Sequence, residues 1–404
     1  MKKILFLSAV AVSLIAGAQE RTVEVTVSNR WKHSKMDEPV VLKLSELKKL
    51  KFDVNSAVVT LNGQEVPCQL DDMDGDSHAD ELVFLADVAA GETLKYNVTL
   101  SASGRQKDYA ARVYADMMLD DKKAKHPFIT CIETPGSSYI YSDLYHHGAA
   151  FESELTGYRI YFDKRQNIDL YGKCVRRLEL AETCFYTTAA QKAAGYGNDV
   201  LWAGNSVGCG TLKLWDGNKP TDFEKLKTRG QRIVAAGPLR TVVEVKDMGV
   251  EVSGGDVVNM KQYYVLYAGH RECEVNVVLD APAKGNIFCT GVQKVGKSAE
   301  GMTRNDGVAA SWGCDYPDMG NKDLFPPEAV GLAVYVPTEY IGRQLTDELN
   351  YLYVIDNAGG TSFKYYVTFC ADKEKEGFHS ANEWFSSLDL WKEMLQNPVD
   401  IKVK

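Results

Sequence analysis

The sequence predicts an all-β protein with a small N-terminal β-sandwich, one larger β-structure and a short C-terminal helix. Apolar and polar residues alternate with a period of two through most of the chain, as in TVEVTVS and CEVNVVL. Hairpin signals separate such runs. Asn62-Gly63 is typical of a type I′ turn, and Ala268-Gly269-His270 separates KQYYVLY from RECEVNVVL at hairpin spacing.

The N-terminus MKKILFLSAVAVSLIAGAQE predicts a secretory signal peptide over residues 1–18. Two lysines precede an apolar run from Ile4 to Ile15, and small residues precede the expected cleavage after Ala18. The run is too short for a membrane anchor, and Gln19 stands where a lipid-anchored protein carries cysteine. We therefore expect a periplasmic or secreted protein without membrane insertion.

The remaining chain is longer than one hydrophobic core usually spans, which predicts two domains. Strand patterns continue through LKYNVTLSAS, after which GRQKDYAARV is polar. This change predicts an N-terminal β-sandwich domain over residues 19–105 and a second domain over residues 106–404.

Charge and cysteine content exclude some classes of function. The net charge is −9 and the lysines and arginines are scattered, which argues against a nucleic-acid partner. The nine cysteines include no C-x-x-C pair, so a zinc site is poorly supported. Most are expected to be small buried residues, although export permits one or two disulfides. The oligomeric state is left open.

A helix is predicted near the C-terminus. Ser380 and Glu383 form a capping-box pattern, and Pro398 ends the segment. Between them, four apolar residues repeat at helical spacing: Trp384, Leu388, Trp391 and Leu395. Such a stripe usually packs on a sheet, and a sugar-stacking platform is the alternative.

The acidic stretch DDMDGDSHADELVF indicates a possible calcium loop. Asp72, Asp74, Asp76 and Asp80 follow one another at the spacing of an all-oxygen cation site, with the carbonyl of His78 between them. Glycine comes too early for an EF-hand, and no helix follows. The alternative is an acidic hairpin without an ion. In either case we expect a structural role, and no cofactor for catalysis.

The segment HHGAAFESELTGYRIYFDKRQNIDLYGK carries the densest set of reactive side chains. In its first strand, alternation directs Arg159, Tyr161 and Asp163 to one face and apolar residues to the other. This pattern predicts a binding surface with proton-transfer groups, and a buried salt-bridge network is the alternative. Adjacent residues in a strand point to opposite faces, so at most one of His146 and His147 enters a shared site.

The glycine-rich run GYGNDVLWAGNSVGCGTLKLW lacks the ending of a phosphate-binding loop. Its glycines fit tight turns and bulges, or loops that hold an aromatic ring such as Trp202 against a ligand.

Several segments together resemble a known family. DxDGDxxxDELVF, FESELxxYRIYFDKRQxIDLYGK, NDVLWAGNSVGCG and GPLRTVV resemble the exported Bacteroidetes family of domain of unknown function 4861. The resemblance implies that the second domain is a galactose-mutarotase-like β-supersandwich, and that the protein belongs to carbohydrate-active systems that degrade polysaccharides. Fold analogy does not name the reaction.

Our leading hypothesis is β-elimination, by a lyase or dehydratase, on oligosaccharides that contain uronic acid. The reaction needs a base, a group that neutralises the carboxylate, and an acid for the leaving oxygen. We assign the role of base to His146 or His147. Arg159 neutralises the carboxylate, and Tyr161 is the acid. Expected substrate-binding residues are Glu154, Asp163, Arg165, Lys173 and Trp202.

Two alternatives stay open at the level of sequence. The first is glycoside hydrolysis by two carboxylates, for which Glu152, Glu154 and Asp163 are candidates. The second is a non-catalytic oligosaccharide-binding protein in which tyrosine and tryptophan rings stack on sugars.

Overall fold

A computed structural model describes residues 19–121, 123, 125–252, 255–282, 285–357 and 359–404. The predicted signal peptide, residues 1–18, lies outside the described residues. In the N-terminal part, the strands are β1 (Glu20–Ser28), β2 (Lys35–Lys43), β3 (Ser56–Leu61), β4 (Gln64–Val66), β5 (Cys68–Asp71), β6 (Glu81–Val88) and β7 (Thr93–Ser101).

The chain beyond residue 105 adds twenty strands, of which the last returns to the small sandwich, and the three α-helices that the described residues contain. Its strands up to Thr221 are β8 (Val113–Asp116), β9 (Cys131–Pro135), β10 (Gly148–Ser153), β11 (Thr156–Tyr161), β12 (Ile168–Gly172), β13 (Asn198–Asp199), β14 (Lys213–Trp215) and β15 (Pro220–Thr221). The later ones are β16 (Thr228–Ala236), β17 (Arg240–Glu251), β18 (Val257–Tyr267), β19 (Cys273–Leu279), β20 (Phe288–Gln293), β21 (Glu300–Thr303), β22 (Val308–Asp315), β23 (Glu328–Tyr335), β24 (Ile341–Thr346), β25 (Asn350–Ile355), β26 (Ser362–Ala371) and β27 (Asp400–Val403). The helices are α1 (Leu180–Thr183), α2 (Ala189–Ala193) and α3 (Ala381–Gln396).

The N-terminal strands form a small sandwich of two antiparallel sheets, ordered β27-β1-β7-β3-β4 and β2-β6-β5. Alternate residues of each strand meet between the sheets, so that Val25, Val59, Phe84 and Leu100 are fully buried there. Strand β27 pairs with β1, which brings the end of the chain back to this sandwich.

The larger part is a sandwich of a nine-stranded sheet against two five-stranded sheets. Their orders are β21-β22-β23-β26-β19-β18-β17-β16-β9, β13-β12-β11-β10-β8 and β15-β14-β20-β25-β24. Val245, Val277 and Val367 of the nine-stranded sheet meet Tyr158 and Tyr353 of the other two in one core. The predicted all-β architecture of a small and a large sandwich is confirmed.

The predicted hairpins and the C-terminal helix are also confirmed. Asn62 and Gly63 both have positive φ angles, 52° and 79°, as a type I′ turn requires. At the start of α3, the hydroxyl of Ser380 accepts a hydrogen bond from the backbone N–H of Glu383. Trp384 and Leu388 are buried against the outer face of the nine-stranded sheet, so this stripe belongs to a core. Helices α1 and α2 were not predicted, because four or five residues are too few to show a period.

All nine cysteines are unpaired. Five of them are buried, in agreement with the expected role as small apolar residues. No helix of the described residues has both the length and the apolar content that crossing a membrane requires.

Charged side chains hold the two sandwiches together. Arg112 donates two hydrogen bonds to the carboxylate of Asp37, at 2.5 and 2.8 Å, and one to Glu154 at 2.6 Å. Nearby, His270 contacts the carboxylate of Glu272 at 2.7 Å and the carbonyl oxygen of Asp37 at 2.9 Å. Hydrogen bonds from Arg112 and His270 of the larger part to Asp37 thus fix the orientation of the small sandwich.

Candidate active site

A cavity of about 500 Å³ lies on the outer face of the sheet β13-β12-β11-β10-β8. Strand alternation in β11 buries Tyr158 and Ile160 in the core and directs Arg159 and Tyr161 into this cavity. The prediction of one apolar and one polar face is therefore confirmed for this strand. Five of the predicted site residues line the cavity: His147, Arg159, Tyr161, Arg165 and Trp202.

Arg159 is the centre of a hydrogen-bonded network on the floor of the cavity. Its Nη2 donates to the carboxylate of Asp169 and to the hydroxyl of Tyr161, at 2.9 Å for the latter. The ring of Phe185 covers the guanidinium at 4.0 Å. Arg159 is 1% exposed, and its Nε and Nη1 have no hydrogen-bond partner among the described residues. The guanidinium is rigidly held and retains two uncommitted donors.

Two carboxylates share the charge of Arg159. Asp169 of β12 lies directly across the hairpin from Arg159, and Asp199 of β13 lies 3.6 Å from the same Nη2. Burial and the negative charge of Asp169 raise the pKa of Asp199 well above its ordinary value.

His147 presents a neutral imidazole to the cavity. Its ring stacks on Tyr141 at a centroid distance of 3.8 Å, and its Nδ1 lies 2.9 Å from the carbonyl oxygen of Tyr141. A carbonyl oxygen only accepts, so Nδ1 carries the proton and Nε2 is the basic nitrogen. Burial lowers the pKa of His147 below its ordinary value, so the imidazole is neutral at pH 7.

Tyr161 has the opposite proton-transfer character. Its hydroxyl donates to the carboxylate of Asp169 at 2.8 Å. Burial, followed by the charge of Asp169, raises the pKa of Tyr161 well above its ordinary value, which keeps the phenol protonated. The rings of Tyr161 and His147 are 6.2 Å apart, so a base and an acid face one small volume.

The rim of the cavity is cationic and aromatic. Arg165 is held by Asp163, whose Oδ2 accepts a hydrogen bond from Nε at 2.7 Å, and more than a third of its side chain is exposed. Trp202 is 54% exposed and Tyr186 is 41% exposed. Exposed aromatic faces beside a fixed cation suit a ligand with both apolar ring faces and negative charge.

The structure places four predicted residues outside the cavity, each held by its own neighbours. His146 is fully buried, with Nε2 at 2.8 Å from Asp116, because it points away from the face that His147 occupies. Lys173 is buried in an ion pair with Glu152 at 2.5 Å. Glu154 bridges Arg112 and the amide of Gly269 at the junction of the sandwiches, and Asp163 caps the turn before β12.

Sequence reasoning missed several cavity residues. Asp169 carried a usable signal, because a hairpin with its turn at Lys164–Asn167 pairs Arg159 with Asp169. Asp199 had none, since it reaches the site through the pairing of β13 with β12, across two intervening helices. Loops remote in sequence supply the rest, among them Tyr141, Phe185, Tyr186 and Phe325.

Three of the four predicted calcium ligands converge in the acidic loop. Carboxylate oxygens of Asp72, Asp74 and Asp80 lie within 4.8 Å of one another, and Asp76 is outside this group. Both carboxylate oxygens of Asp72 accept hydrogen bonds from backbone N–H groups of the loop, from Gly75 at 2.6 Å and from Ser77 at 2.7 Å. The set has the oxygen chemistry that calcium prefers.

The chain is a double β-sandwich protein with a polar cavity on the outer face of one sheet, where His147, Arg159 and Tyr161 meet. The chain belongs to the family described as Domain of unknown function (DUF4861), which it matches over residues 27–401. No curated protein sequence matches it.

Two solved structures resemble the whole fold. One is described as an alpha-mannosidase from Enterococcus faecalis V583, with 9% identity, a TM-score of 0.50, and coverage of 95% of this chain and 46% of that one. The other is a protein in the Glycosyl Hydrolase Family 38 from Enterococcus faecalis, with 10% identity, a TM-score of 0.51, and coverage of 95% and 47%. The chain spans about half the length of each, and at this identity the likeness concerns the fold alone.

Proposed function

We propose that the cavity binds an oligosaccharide containing uronic acid and catalyses β-elimination on it. The observation that carries this proposal is the pairing of an unprotonated His147 Nε2 with a protonated Tyr161 hydroxyl, their rings 6.2 Å apart, beside Arg165. The similar folds of an alpha-mannosidase and of a protein in the Glycosyl Hydrolase Family 38 support the choice of a carbohydrate ligand by analogy of fold.

The proposed step transfers two protons. Nε2 of His147 takes the proton α to the uronate carboxylate, and the electron pair of that C–H bond forms a carbon–carbon double bond. The C–O bond at the β carbon breaks, and its oxygen takes the proton of the Tyr161 hydroxyl. Asp169 accepts a hydrogen bond from that hydroxyl at 2.8 Å and orients it before the transfer.

The role of carboxylate neutraliser moves from Arg159 to Arg165 in this scheme. Arg159 is already compensated by Asp169 and Asp199 and is buried under Phe185. Arg165 is partly exposed at the rim, where Asp163 pairs with it and the rings of Tyr141 and Tyr161 lie 6.0 and 5.7 Å from its guanidinium. Arg159 is then a positioning residue, which fixes the hydroxyl of Tyr161 through Nη2.

Hydrolysis by two carboxylates is less well supported. Asp169 and Asp199 are the paired acids of the cavity, and both approach the same nitrogen of Arg159. Acids that flank a glycosidic bond are held apart, at about 5 Å or more. The charge of Asp169 also contributes to the raised pKa of Asp199, so the two carboxyl groups lie too close together to flank a glycosidic bond.

The test distinguishes elimination from hydrolysis by the product that each reaction forms. We expect the purified protein to generate ultraviolet absorbance from uronate oligosaccharides, because elimination makes an unsaturated uronate. His147→Asn and Tyr161→Phe should each lower kcat by about 10²–10⁴-fold with little change in affinity. Tyr139→Phe is the matched control, since Tyr139 is 74% exposed outside the cavity. Reducing ends without absorbance would establish hydrolysis, and binding without either product would establish a sugar-binding protein.

The N-terminal segment and the acidic loop each support one further proposal. We infer from the N-terminal segment that the protein acts in the periplasm or outside the cell, after cleavage near Ala18. We also propose that calcium bound by Asp72, Asp74 and Asp80 stabilises the acidic loop without taking part in the reaction.

A further inference from the structure

A second cleft opens beside the cavity. Its volume is about 570 Å³, and Arg165 and Gly204 line both spaces. Each space alone lies in the range of about 300–1,000 Å³ that holds a small ligand. Because the two spaces share these lining residues, they lie next to each other, and together they make up the groove.

The floor of the second cleft is preorganised. Lys213 is 4% exposed, and its Nζ donates to the carbonyl of Arg165 at 2.7 Å, to Asn167 at 2.9 Å and to Asp222 at 2.8 Å. Asn167 also lines the first cavity. One buried ammonium therefore ties the floor of the second cleft to the turn that carries Arg165.

A glycine leaves the junction between the two spaces free of a side chain. Gly204 has a φ angle of +56°, and a Cβ atom there would lie 3.3 Å from Nε1 of Trp202. The half-exposed indole of Trp202 thus lies beside the junction, with no side chain at position 204 in between. A flat aromatic face at this place suits a sugar ring that passes from one space to the other.

The charges of the second cleft are largely paired. Lys213 pairs with Asp222 at 2.8 Å, and Lys225 with Glu251 at 3.5 Å. Such a surface favours hydroxyl groups over a further carboxylate, because most of its charged side chains are already paired and leave no large net charge. Asn205 and Lys219 are exposed at the rim and are the simplest positions to alter.

We propose that the substrate is an oligosaccharide longer than a disaccharide, whose neutral sugar units bind in the second cleft while the uronate occupies the cavity. This inference rests on the proposed function. It assigns substrate-length specificity to the groove that crosses Trp202 and Gly204.

The test measures affinity by calorimetry with the catalytically silenced His147→Asn protein. We expect the Kd to fall by about tenfold from a disaccharide that contains one uronate to a tetrasaccharide that extends it by two neutral sugar units. The double variant Asn205→Ala/Lys219→Ala should lose most of that gain and leave disaccharide binding unchanged. Lys48→Ala, an exposed lysine of the small sandwich, is the matched control.

The outcomes separate this inference from the elimination chemistry. Equal affinity for all lengths, a gain that survives in the double variant, or no binding at any length would each overturn it. Length-dependent affinity that the double variant abolishes, with no ultraviolet product from the wild-type protein, supports the groove and overturns only the elimination.

Discussion

Two adjacent histidines occupy opposite environments in this protein. His146 is fully buried against Asp116, whereas His147, with a φ angle of +69°, turns into the cavity and stacks on Tyr141. The sequence indicated that at most one of them enters the site, because neighbours in an extended chain point apart. It did not indicate which one, since that depends on the carbonyl of Tyr141 and on the loop that carries it.

The protonation state of His147 predicts the pH dependence of the reaction. Burial lowers its pKa below the ordinary value of 6.5, and the base acts only when it is unprotonated. We expect kcat/KM to reach its plateau at neutral pH and to fall at lower pH, with a midpoint below 6.5, as His147 gains a proton. The measurement is kcat/KM for ultraviolet product formation from pH 4.5 to 9. An acidic limb centred above pH 6.5 would contradict this assignment, and His379→Asn, remote from the cavity, should leave the profile unchanged.

The hairpin of β11 and β12 is the element that organises the site. Its register places Arg159 opposite Asp169, and its turn carries Arg165 to the rim of the cavity. Both features follow from local alternation and a short turn, which is why this block could be recognised from the sequence. The partners that complete it come from separate loops and from β13, and these contacts have no local signature.

The acidic loop is an element with a structural role. Arg232 donates to the carbonyl of Met73 at 2.6 Å, and Arg240 bonds Asp71 and Glu81 at its two ends. The loop thus docks the small sandwich on strands β16 and β17, away from the cavity. For an ion bound in this loop we therefore propose a role in stability and none in the reaction.

The calcium proposal predicts a change in stability without a change in turnover. Adding calcium to chelator-treated protein should raise the Tm by about 2–4 °C for each kcal/mol of binding free energy. Asp74→Asn keeps an oxygen that can accept the amide of Asp76 but removes one negative charge, so it should abolish the calcium response. Asp108→Asn serves as the control, because Asp108 is exposed and lies outside the group. An identical Tm with calcium and with chelator would exclude the site.

At the scale of the whole molecule, the junction of the two sandwiches depends on a small set of charges. Gly269 approaches Asp37 so closely that a Cβ atom would lie 2.1 Å from its carboxylate oxygen. Next to it, both ring nitrogens of His270 face acceptors, Glu272 and the carbonyl of Asp37. Burial alone would lower the pKa of His270, but Glu272 outweighs it and raises the pKa to about 9.

The raised pKa of His270 predicts that the free energy of unfolding of the protein falls at alkaline pH. Its pKa is higher in the folded than in the unfolded protein, so its contribution is complete below about pH 6.5 and is lost as the pH rises through about 9. The upper bound is roughly 3 kcal/mol. We expect the free energy of unfolding to fall over this range in urea titrations, and His270→Asn to flatten the slope. His33→Asn, an exposed position in the small sandwich, is the control; an unchanged slope in His270→Asn would refute the role.

The sequence by itself determined the strand class, the two main hairpins, the C-terminal helix and the polar face of β11. These features depend on residues close together in the chain, whose alternation and turn chemistry are local. Tertiary structure decided that His147 and not His146 enters the cavity, that Glu154 and Lys173 are structural, and that Asp199 joins Arg159. The physical reason is that burial, pKa and charge pairing depend on neighbours that come from distant strands and loops.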